Sequence, residues 1–164
     1  MDHERLRLGT EILQVMRGGV SIAIAHGAQF VAPPHLLLAL LDDPRVGPAI
    51  APLVPRPRID RAAIDAAKKL PEVYEVPEGQ LPDRERPPFQ RYDTLAFRSR
   101  NGVRTLYLDA DAYHLFLEGA RRAGENYQPK HLVMGFTAEA VKDRDLLAII
   151  GSDPLGVTMS VSEL

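Results

Sequence analysis

Two histidines of this chain stand in matching surroundings. Pro33-Pro34-His35-Leu36-Leu37-Leu38-Ala39-Leu40 and Pro129-Lys130-His131-Leu132-Val133-Met134-Gly135-Phe136 share the pattern Pro, any residue, His, Leu, apolar, apolar, small, apolar. Neutral imidazole is a common metal ligand and general base, so the pair raises the question of a metal or acid–base site. Such a site needs companions. The chain has no cysteine, no His-Glu-x-x-His and no Gly-x-Ser-x-Gly, and its carboxylates are scattered. In the first turn of a helix beside proline, a histidine can instead bond a free backbone group. Pro33, His35 and Pro129 are therefore expected to mark structural helix starts, with no catalytic residue, metal or cofactor called for. Asp42-Asp43 is expected to end a helix ahead of a turn.

A second group with chemical potential is arginine. Between Asp83 and Arg104 there are six (Arg84, Arg86, Arg91, Arg98, Arg100, Arg104) against three acids (Asp83, Glu85, Asp93). With Phe89, Tyr92 and Phe97 they could stack on bases or hold phosphate. The chain as a whole has a formal charge of −2, which gives no global attraction to nucleic acid or an anionic membrane. Charged side chains also shield exposed strand edges, and arginine and tyrosine are enriched in protein interfaces. Arg98, Arg100, Arg104 and Tyr107 are accordingly expected on the surface of an insertion, for a protein contact rather than nucleic acid.

The elements that must hold these groups follow from periodicity. With 164 residues and 45% hydrophobic content the chain is expected to be a single domain with a real core. Thr10 is expected to cap a first amphipathic helix that runs to about His26, with Gly18-Gly19 marking a close helix contact or a kink. Pro33-Pro34 opens a second helix, ended by Asp42-Asp43-Pro44. A short third helix carries Val46, Ala49 and Ile50, and a fourth carries Ile59, Ala62, Ala63, Ala66 and Leu70. Pro71 to Gln90 has five prolines and reads as a linker or surface loop. Thr94 to Leu108 alternates with period two about Asn101-Gly102, predicting a hairpin with a two-residue type I′ turn. Leu95, Phe97, Leu106 and Leu108 would face the helices, and Ala96, Arg98, Thr105 and Tyr107 the other way. Asp109 or Asp111 caps the next helix, Pro129 starts the counterpart of the Pro33 helix, and Asp143 caps a short one over Leu146–Ile150. Val157 to Val161 is expected to be extended and to pair with the hairpin. The N-terminus lacks a basic start with an apolar core behind it, and no run of roughly 18 apolar residues occurs, so a soluble, cytoplasmic protein is expected.

The separation of His35 from His131 exceeds the roughly 20–50 residues of a solenoid unit and suits a domain of two related halves. Ala28-Gln29-Phe30-Val31-Ala32-Pro33-Pro34-His35-Leu36 and Gly124-Glu125-Asn126-Tyr127-Gln128-Pro129-Lys130-His131-Leu132 resemble the signatures of the two repeats in the N-terminal domain of Clp unfoldases. The resemblance implies a mainly α fold of two pseudo-symmetric helical repeats, here at 8–70 and 109–151. Residues 71–108 would be an inserted proline-rich loop and β-hairpin, and 152–164 an extended tail. It implies a non-catalytic domain that receives protein substrates or adaptors. No Gly-x-x-x-x-Gly-Lys-Ser/Thr loop is present, so a free-standing member without an ATPase is expected, with unfolded segments, an adaptor or a Clp component as partner. In one branch an acidic residue before each repeat histidine binds phosphorylated arginine. Pro34 and Lys130 hold those positions here, which argues against that ligand. In another branch acidic and apolar residues of the second repeat line a peptide groove; by motif position these fall on Glu125, His131 and Leu132, of which Glu125 keeps the charge, and with the groove near the start of the first helix of each half Thr10 is expected to join them. The alternative is a regulatory domain binding a small ligand through the cleft between halves or the hairpin.

Overall fold

Helix signals in the sequence account for almost every element. The computed structural model describes residues 7–68 and 96–164. Among the described residues four helices precede the hairpin: α1 (Thr10–Ala25), α2 (Pro33–Leu41), α3 (Val46–Ile50) and α4 (Arg56–Lys68). Four follow it: α5 (Ala110–Ala123), α6 (Pro129–Ala140), α7 (Arg144–Ile150) and α8 (Pro154–Ser162). The strands are short: β1 (Arg7–Leu8), β2 (Ala96–Arg98), β3 (Thr105–Tyr107) and β4 (Asn126–Tyr127). The protein is thus mainly helical with a small antiparallel hairpin. Leu70, Leu95 and the expected linker at 71–90 lie outside the described residues.

Polar side chains place several helix ends as expected. The Asp109 carboxylate accepts from Ala112 N–H at 2.7 Å, and that of Asp143 from Asp145 and Leu146 N–H. Asp43 accepts from the N–H groups of Arg45 and Val46 and so closes the turn between α2 and α3. Thr10 differs from expectation. It is the first helical residue, and Gly9 is the N-cap, without a side-chain bond.

The last segment is the main correction. Residues 154–162 form α8 rather than a strand on the hairpin. Val157-Thr158-Met159-Ser160-Val161 fits period two, yet Val157 and Val161 are also one helical repeat apart, and both are fully buried. Asp153 and Pro154 decide between the two. The Asp153 carboxylate accepts from Gly156 N–H, and proline suits the first helical turn. The chain therefore ends in a helix packed on α6 and α3.

The hairpin keeps the expected register, with Phe97 opposite Leu106 and Arg98 opposite Thr105. Phe97, Leu106 and Leu108 are buried, while Arg98, Thr105 and Tyr107 point outward. Its turn is not type I′, because that needs positive φ at both central residues and only Gly102 has it, at 74°. Gly102 N–H bonds Ser99 O instead. The Asn101 side chain accepts from Val103 N–H, and Arg104 N–H donates to the Ser99 hydroxyl.

Backbone pairing ties the two sets of helices together crosswise. β1, which leads into α1, runs parallel to β4, which leads into α6, and Val31, ahead of α2, bridges Leu108, ahead of α5. In the second pairing Val31 N–H donates to Tyr107 O at 3.0 Å and Val31 O accepts from Asp109 N–H at 2.9 Å. The paired glycine of α1 is a close contact on two sides. A Cβ at Gly19 would lie 2.8 Å from the Leu36 Cδ2 atom of α2, and one at Gly18 would meet the Arg100 guanidinium.

Gly119 of α5 stands the same distance beyond its N-cap as Gly19 does in α1, and it too faces the following helix. Its Cβ would strike the Tyr127 hydroxyl, and a Cβ on Gly135 of α6 would lie 2.8 Å from Gly119 N and Leu115 O. Neither backbone can yield without separating α5 from α6. Gly135→Ala should therefore lower unfolding free energy by about 1–3 kcal/mol in urea titrations, the usual cost of overpacking. A variant within about 0.5 kcal/mol of the parent would show that this contact is not tight.

Candidate functional site

Both repeat histidines sit at the third helical position and use the same nitrogen in the same way. His35 Nδ1 accepts from Ala32 N–H at 3.0 Å, and His131 Nδ1 accepts from Gln128 N–H at 3.0 Å. Each satisfies a donor at a helix start that would otherwise lack a partner. Because Nδ1 accepts, His35 Nε2 carries the proton and donates to Ala63 O at 3.1 Å, fastening the start of α2 to α4. With both nitrogens occupied and no exposed surface, His35 is neither a ligand nor a base. Burial, opposed by the bond to Ala63, pushes its pKa from about 6.5 down to about 4. His131 is half-buried, and burial together with Lys130 lowers its pKa.

The other expected binding residues are divided by the fold. Glu125 and Thr10 are exposed, and the β1–β4 register places them towards opposite ends of one short parallel pair. Leu132 is fully buried in the core, so it cannot touch a partner. The apolar residue after each histidine serves packing, which the shared motif hides. Beside it, Tyr127 is wholly enclosed, donates to Phe116 O at 2.8 Å and stacks on Phe116 at 4.7 Å.

One group of potential metal ligands does come together, His114 and Glu118 of α5 with Glu139 of α6, their donor atoms within 4.8 Å of one another. His114 Nε2 lies 3.2 Å from Glu139. Glu118 is already engaged by Arg121 at 2.8 Å and Arg122 at 3.1 Å. Burial alone would raise the Glu118 carboxyl, but the Arg122 bond and the two guanidinium charges hold it below the usual range. Two cations beside it oppose a third, and the arrangement is an ion-pair cluster on α5 with a His114–Glu139 contact to α6 beside it.

Next to that seam lies a groove of about 420 Å³ between α5, α6 and α8. Met134, Ala138, Val141, Pro154 and Leu155 form most of its wall, Thr137 and Thr158 bond each other, and Arg122 is the one charged residue lining it. Val141, Leu155 and Met159 are 75%, 69% and 64% exposed. The sequence reading missed this surface because it treated α8 as a strand. The signal was present in Leu155 and Met159, four residues apart on a segment without charge from Pro154 to Ser162.

No family model matches the sequence, and neither a curated protein nor a solved structure is a significant match. Among the described residues no helix is long and apolar enough to cross a membrane.

Buried His35 and half-buried Asp109 set opposing pH dependences. His35 binds a proton in the unfolded chain that it excludes when folded, so its contribution to stability rises with pH between about 4 and 6.5. Burial pushes the Asp109 carboxyl up to about 7, so the folded state holds a proton the unfolded chain releases, and stability falls as pH rises from about 4 to 7. The two slopes offset each other. Asp109→Asn keeps a capping oxygen and should expose the His35 slope, a gain of about 3 kcal/mol from pH 4 to 6.5 at about 1.4 kcal/mol per unit. Urea unfolding at several pH values reads this directly, and a flat profile in that variant would show that His35 stays accessible to protons.

Proposed function

We propose that the protein is a non-catalytic protein-binding domain of the kind the N-terminal domains of Clp unfoldases form, and that it takes up apolar protein segments on the α5–α6–α8 groove. The observation that carries this reading is the groove's rim. Val141 at the end of α6 and Leu155 of α8 are large apolar side chains of its wall left mostly in water, Met159 is exposed one turn beyond Leu155 on α8, and exposed apolar surface of that kind marks interaction sites. Arg122, the single cation in the lining, bonds Glu118 through Nη1 and would share its guanidinium with a carboxylate next to the segment's apolar residues.

The likeness to two Clp repeats is supported by four features that occur twice. Each side of the hairpin has a Pro-x-His helix start with Nδ1 on the N-cap N–H, a glycine at the crossing of its first two helices and, among the described residues, four helices. The segments before those helices pair crosswise. The groove lies in the second half, and neither Glu125 nor His131, the positions that the resemblance implies, lines it.

Apolar peptides ending in a free carboxylate are expected to bind by calorimetry. Leu155→Asp with Met159→Asp should weaken them at least about tenfold without altering the helical circular dichroism, since both positions are exposed. Amidating the peptide should weaken binding to the parent protein. Unchanged affinity in the double variant, or no peptide bound by the parent, would overturn the reading.

A further inference from the structure

Outside the groove's lining, one surface holds charge without a counter-ion among the described residues. Arg98, Arg100 and Arg104 on the hairpin are all exposed, and none has an acidic side chain within ion-pair distance among the described residues. Nor does any acid occur from Ala96 to Leu108. A fourth guanidinium joins them from α1. Arg17 donates to Ser99 O at 3.1 Å and to Arg100 O at 3.0 Å.

The tip is held firmly. Arg100 N–H donates to the Ser21 hydroxyl at 2.9 Å, and Ser99 N–H bonds Arg104 O at 2.7 Å. Arg100's guanidinium lies over Gly18, where a Cβ would come within 2.6 Å of its Nη2. Cations gathered on one short hairpin repel each other, and an anion bound there relieves that repulsion. Val103 is 77% and Tyr107 40% exposed beside them, giving apolar contact among the charges. Arginine with tyrosine around an apolar side chain is the composition of protein-interface hot spots.

We infer that the hairpin tip docks an acidic segment of a partner protein, with carboxylates against Arg98, Arg100 and Arg104 and an apolar side chain against Val103 and Tyr107. Nucleic acid fits this surface less well. A polyanion extending past the tip would meet a chain whose net charge is −2, and Tyr107 is the only exposed aromatic of the described hairpin. This surface is separate from the groove and does not depend on it.

The test is fluorescence anisotropy with the full chain and a labelled peptide of glutamates and aspartates around one leucine. Binding should weaken with added salt and fall at least about tenfold in Arg98→Glu with Arg104→Glu. Those positions are exposed, and an unchanged melting temperature confirms that the variant is folded. Leu155→Asp with Met159→Asp should leave this binding intact, which separates the hairpin from the groove. The proposal is overturned by equal binding to the arginine variant, by no binding to the parent protein, or by a single-stranded oligonucleotide binding more tightly than the peptide.

Discussion

The close crossing of paired helices is the constraint on which the remaining structure depends. Gly19 lets α1 meet Leu36 of α2, and Gly119 with Gly135 brings the backbones of α5 and α6 together. At such separations a single methylene cannot be inserted, so the helices have one seating each. That seating fixes where α2 and α6 begin, and their first turns then have N–H groups that only a nearby side chain can satisfy. His35 and His131 do so, and Tyr127 fills the space that Gly119 leaves open.

The same constraint separates the structural residues from those available for recognition. His35, Leu132 and Tyr127 carry the most conspicuous sequence pattern, and all three are buried. What remains on the surface is less patterned: the uncharged outer face of α8 and the arginines of the hairpin. Both are fastened to the core from behind, α8 by Val157 and Val161, the hairpin by Phe97 against Phe116 and by the grip of Arg17. Rigid backing of this sort lowers the ordering cost of binding.

Much of the helical order could be read from capping chemistry and proline. Asp109, Asp143, Pro33 and Pro129 each stand where an element begins, because those side chains act locally and need no tertiary partner. Reading failed where two periods coincide. Val157 and Val161 satisfy both strand and helix spacing, and only Asp153-Pro154 breaks the tie, a local signal that alternation obscured. The turn of the hairpin was misjudged for a related reason. Asn101-Gly102 favours a type I′ turn, yet the Asn101 side chain is spent on Val103 N–H and the Ser99 hydroxyl bonds Arg104 N–H, so the loop closes one pair earlier. The groove could not be foreseen without α8, since that helix supplies one of its three walls.

The crosswise strand pairing also bears on how the chain reaches this state. Leu8 meets Tyr127 and Val31 meets Leu108, contacts between residues far apart along the chain. Such contacts slow folding, because the entropy of closing a long loop is lost before any bond is gained. During synthesis the first four helices emerge with their pairing edges bare, and those edges stay open until Leu108 and Tyr127 have left the ribosome. Vulnerability to misassembly is therefore concentrated in a nascent chain of intermediate length, and ends with the arrival of the second His-Leu helix.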